Sequence, residues 1–265
     1  MTTAEPDLLN VDEPPPFELF NGAGQGKLLL VCDHASNRIP KSLDNLGLTQ
    51  EQLATHIGWD LGAAAVARRL AGLLDAPLLL ANYSRLVIDC NRWPGTPASI
   101  AESSDGIAVP GNAGLSHAEA LARRNALFDP YHTAIADIFS QQPKESRFLL
   151  SIHSFTPSLA GVDRHWPIGV CYRSDIVWGK RWLDVLKNKL SDPVGNNQPY
   201  DVEADVDFTI PVQAEARCIP GIMLEIRDDR ISDEAGVNVC SEIIAESWLE
   251  LKSRCDNSPD SVRSD

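Results

Sequence analysis

The chain has 265 residues, of which 43% are hydrophobic and 23% charged, a composition typical of one large or two small globular domains. Its 23 Lys and Arg residues against 37 Asp and Glu residues give a formal net charge of −14, which disfavours a nucleic-acid partner because nucleic-acid backbones are anionic. No apolar run approaches the roughly 20 residues of a membrane-spanning helix, and the polar N-terminus lacks a signal-peptide pattern, so we expect a cytoplasmic protein with no membrane partner.

The first elements in chain order are predicted to be a strand and a helix. Residues 1–16, which end in three consecutive prolines, are expected to form an extended lead-in. The continuous apolar run Lys27–Cys32 predicts a buried strand. The Ala-rich run Leu61–Leu74 predicts a helix, for which Thr55 and Asp60 are candidate N-caps.

The rest of the chain alternates between short apolar runs and helical patterns. Ser116–Phe139 predicts a long helix that Asp129-Pro130 interrupts. Further strands are predicted at Pro77–Ala81, Leu86–Cys90, Phe148–Ile152, Ile168–Tyr172 and Gly221–Ile226, further helices at Trp178–Leu190 and Glu234–Lys252, and a flexible tail at 256–265. Continuous apolar strands separated by helices predict one α/β domain over residues 17–255, with a mostly parallel, mixed central sheet and helices on both faces.

The six cysteines show no pattern of a disulfide framework or of a metal-binding pair. Cys32, Cys90 and Cys171 lie inside apolar runs, where cysteine usually acts as a small buried hydrophobe rather than a nucleophile. The glycine-rich run 22–26 precedes a predicted strand instead of following it, and no G-x-S-x-G sequence occurs. A dinucleotide site and a serine hydrolase are therefore not expected.

Polar side chains follow the predicted strands, at the edge of the sheet where ligands bind in open α/β folds. His34 follows the first predicted strand, Asn91 and Arg92 follow the third, and His153 follows the fourth. Glu225 lies near the end of the last predicted strand. We expect these side chains to converge on one site.

Two histidines at this edge suit a divalent metal, provided that a third ligand joins them. Besides His34 and His153, the candidates are Asp60 and His56, and the residues alone leave both open, since Asp60 also suits an N-cap and His56 a surface loop. Glu225 is a candidate general base for a metal-activated water, or else a buried carboxylate that pairs with a neighbouring arginine.

Arg85, Asp89, Asn91 and Arg92 cluster around one predicted strand. A planar guanidinium binds a carboxylate through two parallel hydrogen bonds, so the two arginines suit a substrate carboxylate. An internal ion pair between Arg85 and Asp89 is the alternative. In a chain with a net charge of −14, these arginines would create a local positive site.

Seven motifs occur in order with short separations and together resemble the N-formylglutamate amidohydrolase family from about residue 27 to 250. They are DHASNRIP (33–40), HIGWDLGA (56–63), SRLVIDCNR (84–92), PGN (110–112), PYH (130–132), HSFTP (153–157) and LEIRDD (224–229). The resemblance implies a zinc carboxypeptidase-like α/β fold, one zinc ion (another divalent metal remaining possible), and a water that attacks an amide near a free carboxylate. It also implies a place in amino-acid catabolism, in histidine degradation.

The resemblance also assigns roles to individual residues. His34 and His153 match the metal-binding histidines, Asp60 is the preferred third ligand with His56 as the alternative, and Glu225 corresponds to the general base.

Three further residues match the substrate-contacting part of the pattern. Arg85 corresponds to the arginine that polarises the scissile carbonyl, and Asn91 with Arg92 to the pair that holds a substrate carboxylate. The chain departs from the pattern at two positions. Gln213 stands before Ala-Glu where the family pattern has His, and Gln198 stands before Pro-Tyr where the family pattern has an acidic residue. Both departures are expected in a substrate-side loop and bear on substrate identity.

The expected activity is therefore hydrolysis of the amide of a small anionic N-acyl amino acid such as N-formyl-L-glutamate. A zinc deacylase of another N-acyl amino acid, a carboxypeptidase-like hydrolase of short peptides and a catalytically silent binding protein are the alternatives. The sequence leaves open whether the chain is a monomer or a homo-oligomer.

Overall fold

A seven-stranded mixed sheet lies at the centre of the computed structural model, which describes residues 8–144 and 147–256, the last two by their backbone alone. Its strands are β1 (Phe17–Phe20), β2 (Leu29–Cys32), β3 (Leu78–Ala81), β4 (Leu149–Phe155), β5 (Ile168–Cys171), β6 (Gly195–Asn196) and β7 (Gly221–Arg227). The helices are α1 (Gln50–Leu53), α2 (Ala63–Leu73), α3 (His117–Arg123), α4 (Asp129–Gln141), α5 (Ile176–Lys189) and α6 (Glu234–Asp256). Two short hairpins join Ser103–Ser104 to Ile107–Ala108 and Ser158–Leu159 to Val162–Asp163.

The strands lie in the order β1-β3-β2-β4-β7-β5-β6. The central pairs β3–β2, β2–β4 and β4–β7 are parallel, as is the edge pair β5–β6, whereas β1–β3 and β7–β5 are antiparallel. The predicted mostly parallel, mixed sheet is thus confirmed. The carboxyl ends of β2, β4 and β7 lie side by side, so residues near these ends are brought close together.

Helices cover both faces of the sheet, as predicted. Successive strand residues point to opposite faces, and Leu150 and Ile152 belong to the apolar cluster beneath α2, α5 and α6. Leu149 belongs to the opposite cluster, beneath α4 and a π-helical segment over Thr209–Ala214. Ser151 and His153 alternate onto this second face, which therefore becomes polar towards the carboxyl end of β4.

The prediction of a strand at Leu86–Cys90 is wrong. This segment forms a series of turns, in which Val87 N–H donates to Ser84 O (2.9 Å) and Asp89 N–H to Ser99 O (2.8 Å). Its apolar side chains are buried all the same: Leu86, Val87 and Ile88 belong to a third cluster formed largely among the loops, and Cys90 belongs to the cluster beneath α4. An apolar run of five residues shows that a segment is buried, but not whether a neighbouring strand is available to pair with it.

The helix predicted to break at Asp129-Pro130 instead continues. A π-helical segment, Arg124–Phe128, joins α3 to α4, and Pro130 lies in the first turn of α4. The residue before Pro130 already follows the wider π-helical pattern, in which the Asp129 N–H donates to Arg124 O, so the proline joins a locally widened turn and not a regular α-helical interior.

The described ends of the chain also differ in detail from the prediction. Leu8 and Leu9, within the predicted lead-in, pack against the loop cluster, and α6 runs four residues beyond Lys252. Residues 1–7 of the lead-in and 257–265 of the tail lie outside the described residues. In the described part of the chain, no helix combines the length and the apolar character needed to cross a membrane.

Candidate metal centre and active site

Three buried side chains, His34, Asp60 and His153, meet at the carboxyl edge of the sheet. Each offers one ligand atom, and these atoms lie within 4.8 Å of one another. His34 follows β2, His153 lies in the neighbouring strand β4, and Asp60 precedes α2. Asp60 does not cap that helix, since the N-cap is Gly62, with a left-handed φ of 77°. The Asp60 carboxylate therefore remains available to the two imidazoles.

Both imidazoles direct their Nδ1 atoms to the same carboxylate oxygen. Asp60 Oδ2 lies 2.9 Å from His153 Nδ1 and 3.4 Å from His34 Nδ1, and it also accepts a hydrogen bond from the Ser154 N–H (3.2 Å). Two imidazole nitrogens and a carboxylate oxygen that converge in this way form the donor set that catalytic zinc uses.

The opposite edge of each imidazole is held by a second buried carboxylate. His34 Nε2 lies 2.7 Å from Asp89 Oδ1, and His153 Nε2 lies 3.1 Å from Asp33 Oδ2. In metalloproteins a carboxylate on the remote nitrogen fixes the tautomer and the orientation of a ligating histidine. Both Nδ1 atoms are therefore oriented for a shared cation, and the cluster can hold a metal ion.

Asp33 is tied to several other groups as well. Tyr131 and Thr209 donate hydroxyl hydrogen bonds to its Oδ1 at 2.9 and 3.0 Å, and Ser151 donates to its Oδ2 at 3.2 Å. The sequence indicates Asp89 only as a possible ion-pair partner of Arg85, and it indicates no role for Asp33. The available signal was their position beside strand-end polar residues, which does not indicate the histidine that each one contacts.

The charges of the cluster reinforce one another. Burial opposes ionisation of Asp60, but the imidazoles of His34 and His153 outweigh it and hold the pKa of this carboxyl well below its ordinary value. Burial likewise opposes protonation of His153, yet Asp33 and Asp60 raise its pKa well above the ordinary value. A divalent cation would replace these imidazole protons, as metal binding to histidine requires.

His56, the alternative third ligand, lies outside this cluster. Its Nε2 atom lies 3.2 Å from Asp105 Oδ2, and its side chain is 35% exposed. The structure thus places Asp60, and not His56, beside the two histidines.

Glu225 lies next to His153 across the sheet, since the two residues are register partners on β7 and β4. The side chain is buried, and its Oε2 atom has no hydrogen-bond partner among the described residues. Arg227 forms its ion pair with Asp229 at 2.8 Å, so it does not neutralise Glu225. Burial, assisted by the charge of Asp60, raises the pKa of Glu225 to about 7 against the opposing effect of the imidazoles.

Arg85 contacts two carboxylates, that of Asp60 in the cluster and that of Asp89, which holds His34. Its Nη2 atom donates to Asp89 Oδ2 at 3.0 Å, and its Nη1 atom lies 3.5 Å from Asp60 Oδ1. The ion pair between Arg85 and Asp89 therefore exists, and it directs the guanidinium over the metal cluster. The side chain remains 28% exposed, within reach of a ligand.

Asn91 and Arg92 both contact Asp207, a residue that the sequence analysis missed. Arg92 Nη1 lies 2.6 Å from Asp207 Oδ1, and Asn91 Nδ2 donates to the same oxygen at 3.2 Å. Asn91 Oδ1 accepts hydrogen bonds from the backbone N–H groups of Phe208 and Thr209. These contacts fasten the segment around Asp207 to the site, and no local pattern could have indicated them, because more than 100 residues separate the partners.

The three candidate ligands and the other predicted site residues apart from His56 surround one cavity of about 340 Å³, which we call the inner cavity. The metal cluster, Glu225, Arg85 and the Asn91-Arg92 pair line one side of it, and the loop 199–207 lines the other. Tyr200, in this loop, lies under the Arg164 guanidinium, which is 5.0 Å from the centre of its ring.

The two departures from the family pattern lie in different places. The expectation that Gln213 lies in a substrate-side loop is wrong. Gln213 is buried in the π-helical segment, and its Nε2 atom lies 3.3 Å from His132 Nδ1 and 3.2 Å from His132 O. Gln198 precedes Pro199 and Tyr200, which line the inner cavity. Of the two positions, Gln198 is thus the one next to the site.

Comparisons with known proteins agree with this architecture. The family model for N-formylglutamate amidohydrolase matches residues 26–232. The comparison with curated proteins gave no match.

Two solved structures resemble the chain over most of its length. The gene product Atu2144 from Agrobacterium tumefaciens is 33% identical, covers 94% of this chain and 100% of its own, and superposes with a TM-score of 0.88. The N-formylglutamate amidohydrolase from Ralstonia eutropha JMP134 is 19% identical, covers 91% of this chain and 98% of its own, and has a TM-score of 0.62, which at this identity shows a shared fold. The family match over well over half of the sequence decides the assignment: the chain belongs to the N-formylglutamate amidohydrolase family, whose members hydrolyse amide bonds.

Proposed function

We propose that this chain is a zinc-dependent amidohydrolase that cleaves the amide of an N-acyl amino acid such as N-formyl-L-glutamate. The observation that carries the proposal is the arrangement of His34, Asp60 and His153 beside a buried Glu225 whose Oε2 has no partner, all in one cavity. Membership of the family supports the same reaction class.

The metal would be held by His34 Nδ1, His153 Nδ1 and a carboxylate oxygen of Asp60. When bound, a zinc ion lowers the pKa of a coordinated water and polarises a carbonyl group. Zinc is preferred because two imidazoles and one carboxylate are its usual catalytic ligands, although the same donors accept other divalent metals.

Glu225 is assigned the role of general base and acid. It accepts the proton of the attacking water and passes it to the nitrogen of the leaving amine. A general base works best when its pKa lies near the working pH. Burial raises the pKa of Glu225 to about 7 in the metal-free protein, and the charge of a bound divalent cation would lower it from there, which keeps the group a base at neutral pH. The unpartnered Oε2 leaves a lone pair free for this transfer.

Arg85 is assigned the role of stabilising the negative charge that develops on the carbonyl oxygen of the substrate. Its guanidinium is already directed by Asp89 and Asp60, so little reorganisation is needed when that charge appears. Donors fixed in advance in this way are the usual means by which enzymes stabilise an oxyanion.

Arg92 is assigned the role of binding the carboxylate of the substrate, and Asn91 the role of holding the residues around Arg92 in place. Asp207 occupies Nη1 of Arg92, so the carboxylate would bind the other edge of the guanidinium. Asn91 contributes by fixing Asp207 and the backbone that follows it. A cytoplasmic location is part of the proposal, and the five described cysteines, all unpaired, support it.

The test is metal content and hydrolysis measured on the same preparations. We expect one zinc ion per chain and release of formate from N-formyl-L-glutamate. The double variant His34→Ala and His153→Ala should lose both. The variant Glu225→Gln should keep the metal while kcat falls by roughly 10²–10⁴-fold.

The proposal is wrong if the purified protein, supplied with zinc, hydrolyses no N-acyl amino acid in a panel of formyl, acetyl and dipeptide substrates. It is also wrong if the double histidine variant retains the metal. Faster turnover of a dipeptide than of any N-acyl amino acid would indicate a carboxypeptidase-like hydrolase instead.

A further inference from the structure

A second and larger cavity, of about 1060 Å³, lies beside the inner cavity and has no part in the function proposed above. We call it the outer cavity. Residues 94–104 and the segment from Asn112 to Arg124 form most of its wall. Arg85 and Arg92 line both cavities, so the outer cavity adjoins the candidate active site at these two side chains.

Arg85 reaches from one cavity to the other. Its Nη1 atom lies nearest Asp60, a wall residue of the inner cavity, and its Nη2 atom donates to Asp89, a wall residue of the outer cavity. Arg92 is held towards the inner cavity, since its Nη1 contacts Asp207, which lines only that cavity. A substrate that contacts Arg85 at its carbonyl oxygen therefore lies at the boundary of the outer cavity.

The wall of the outer cavity is more apolar than polar, and Glu102, His117 and Arg124 supply charged or polar groups on it. Leu86 and Ile88 form a buried floor, and Ile100, Leu115 and Leu121 also line the cavity. Prolines and alanines fill much of the rest of the 94–101 segment. Such a surface favours a hydrocarbon group, because each methylene removed from water contributes about 0.8 kcal/mol.

The two volumes differ in what they can hold. Ligand pockets commonly measure about 300–1,000 Å³, so the inner cavity alone has room for an N-formyl amino acid. A formyl group has no carbon beyond its carbonyl and would leave the outer cavity unused. A longer acyl chain begins at that same carbonyl, beside Arg85.

We propose that the outer cavity binds the acyl chain of the substrate, and that the preferred substrates are N-acyl amino acids with an unbranched apolar acyl group longer than formyl. The amino acid then occupies the inner cavity and the hydrocarbon passes Arg85 onto the floor made by Leu86 and Ile88. This inference rests on the proposed function, since it assumes that the scissile carbonyl lies between the metal cluster and Arg85.

The test compares kcat/KM of the zinc-loaded protein for N-formyl-, N-acetyl-, N-butyryl-, N-hexanoyl- and N-octanoyl-L-glutamate. We expect kcat/KM to rise by about fourfold for each added methylene over the first few, the factor that corresponds to about 0.8 kcal/mol. The variant Leu121→Asp places a charge on the wall, and Ala98→Trp fills the cavity from an exposed loop. Both should lower the ratio of the octanoyl to the formyl value by at least tenfold.

Leu73→Asp is the matched control, because Leu73 is 44% exposed on α2 and Leu121 is 40% exposed on α3, and Leu73 lines neither cavity. The control should keep the ratio of the unchanged protein. The inference is overturned if kcat/KM falls steadily from formyl to octanoyl, or if all three variants change the ratio alike.

Calorimetric binding of N-octanoyl-L-glutamate separates failure of this inference from failure of the proposed function. Binding that Leu121→Asp weakens, without turnover of any substrate, would support the outer cavity and refute the amidohydrolase. The opposite outcome is also defined. If the protein hydrolyses N-formyl-L-glutamate but neither Leu121→Asp nor Ala98→Trp alters binding of N-octanoyl-L-glutamate, the amidohydrolase is supported and the role of the outer cavity is refuted.

Discussion

Asp33 and His34 are adjacent in the chain, but the Asp33 carboxylate holds the imidazole of a different residue, His153. Asp33 holds His153 Nε2, whereas His34 is itself held by Asp89, 55 residues further on. Each of the two histidine ligands therefore depends on a carboxylate from another part of the chain. A buried imidazole with a charged acceptor on one nitrogen keeps the other nitrogen in a fixed direction, which raises its basicity towards a cation.

We expect Asp89→Asn and Asp33→Asn to weaken metal binding by roughly 10–100-fold each, because each removes the charge that orients one imidazole and leaves its shape nearly unchanged. A competition titration with a zinc-binding dye measures the affinity without any need for turnover. Asp137→Asn, an exposed position on α4, is the control and should bind zinc as the unchanged protein does. Equal affinity in all three variants would show that the carboxylates do not orient the histidines.

Among the elements, β7 and the strands on either side of it set the position of Glu225. The register places Glu225 beside His153 on β4 and beside Gly169 on β5. Gly169 is a site of close approach, since a Cβ atom there would lie 1.8 Å from the carbonyl oxygen of Gln198. The absence of a side chain at Gly169 therefore lets the Gln198–Tyr200 segment lie against the sheet and close the inner cavity.

We expect Gly169→Ala to destabilise the protein by about 1–3 kcal/mol, the usual cost of overpacking, and to raise KM, because the backbone at Gln198 must move. Gly72→Ala is the matched control: Gly72 is an exposed helical position with nothing within 4 Å of an added Cβ. That change should stabilise the protein by roughly 0.5–1 kcal/mol. Urea unfolding and steady-state kinetics measure both effects, and a Gly169→Ala protein with unaltered stability and KM would refute the close approach.

At the scale of the whole molecule, two buried groups make the stability depend on pH in opposite directions. Burial lowers the pKa of His132 to about 4, and its Nε2–H donates to Cys90 O at 2.7 Å. Burial raises the pKa of Glu225 to about 7. Between pH 4 and 6.5, His132 is protonated in the unfolded protein but neutral in the folded protein, so lowering the pH destabilises the fold. Between pH 4.5 and 7, Glu225 is protonated in the folded protein but ionised in the unfolded protein, so lowering the pH stabilises the fold.

We therefore expect the two contributions to cancel in large part in the metal-free protein. In Glu225→Gln the His132 contribution is no longer offset by that of Glu225, so the free energy of unfolding should fall, by up to about 2 kcal/mol, as the pH decreases from 6.5 to 5. In His132→Asn the Glu225 contribution is no longer offset by that of His132, so the free energy of unfolding should rise by about 2 kcal/mol over the same interval. Urea unfolding in the presence of a chelator measures both slopes, and slopes of equal sign would contradict the assignment.

Much of the architecture follows from local patterns. Continuous apolar runs separated by helical periodicity predicted the α/β class, the mostly parallel sheet and most of its strands, because burial on both faces requires such runs. The two-residue strand β6 escaped prediction, since so short a segment has no periodicity. The buried run Leu86–Cys90 was mistaken for a strand, since an apolar run shows burial but not pairing.

The sequence by itself determined which polar residues stand at the ends of buried strands, namely His34, His153 and Glu225, and it placed Arg85 and Arg92 on either side of a buried apolar segment. Only the tertiary structure decided their partners. It placed Asp60 rather than His56 at the two imidazoles. It also brought Asp33 to His153, Asp89 to His34 and Asp207 to Arg92. Strand order and loop packing create these contacts between residues 26 to 120 positions apart, and no pattern of neighbours along the chain records them.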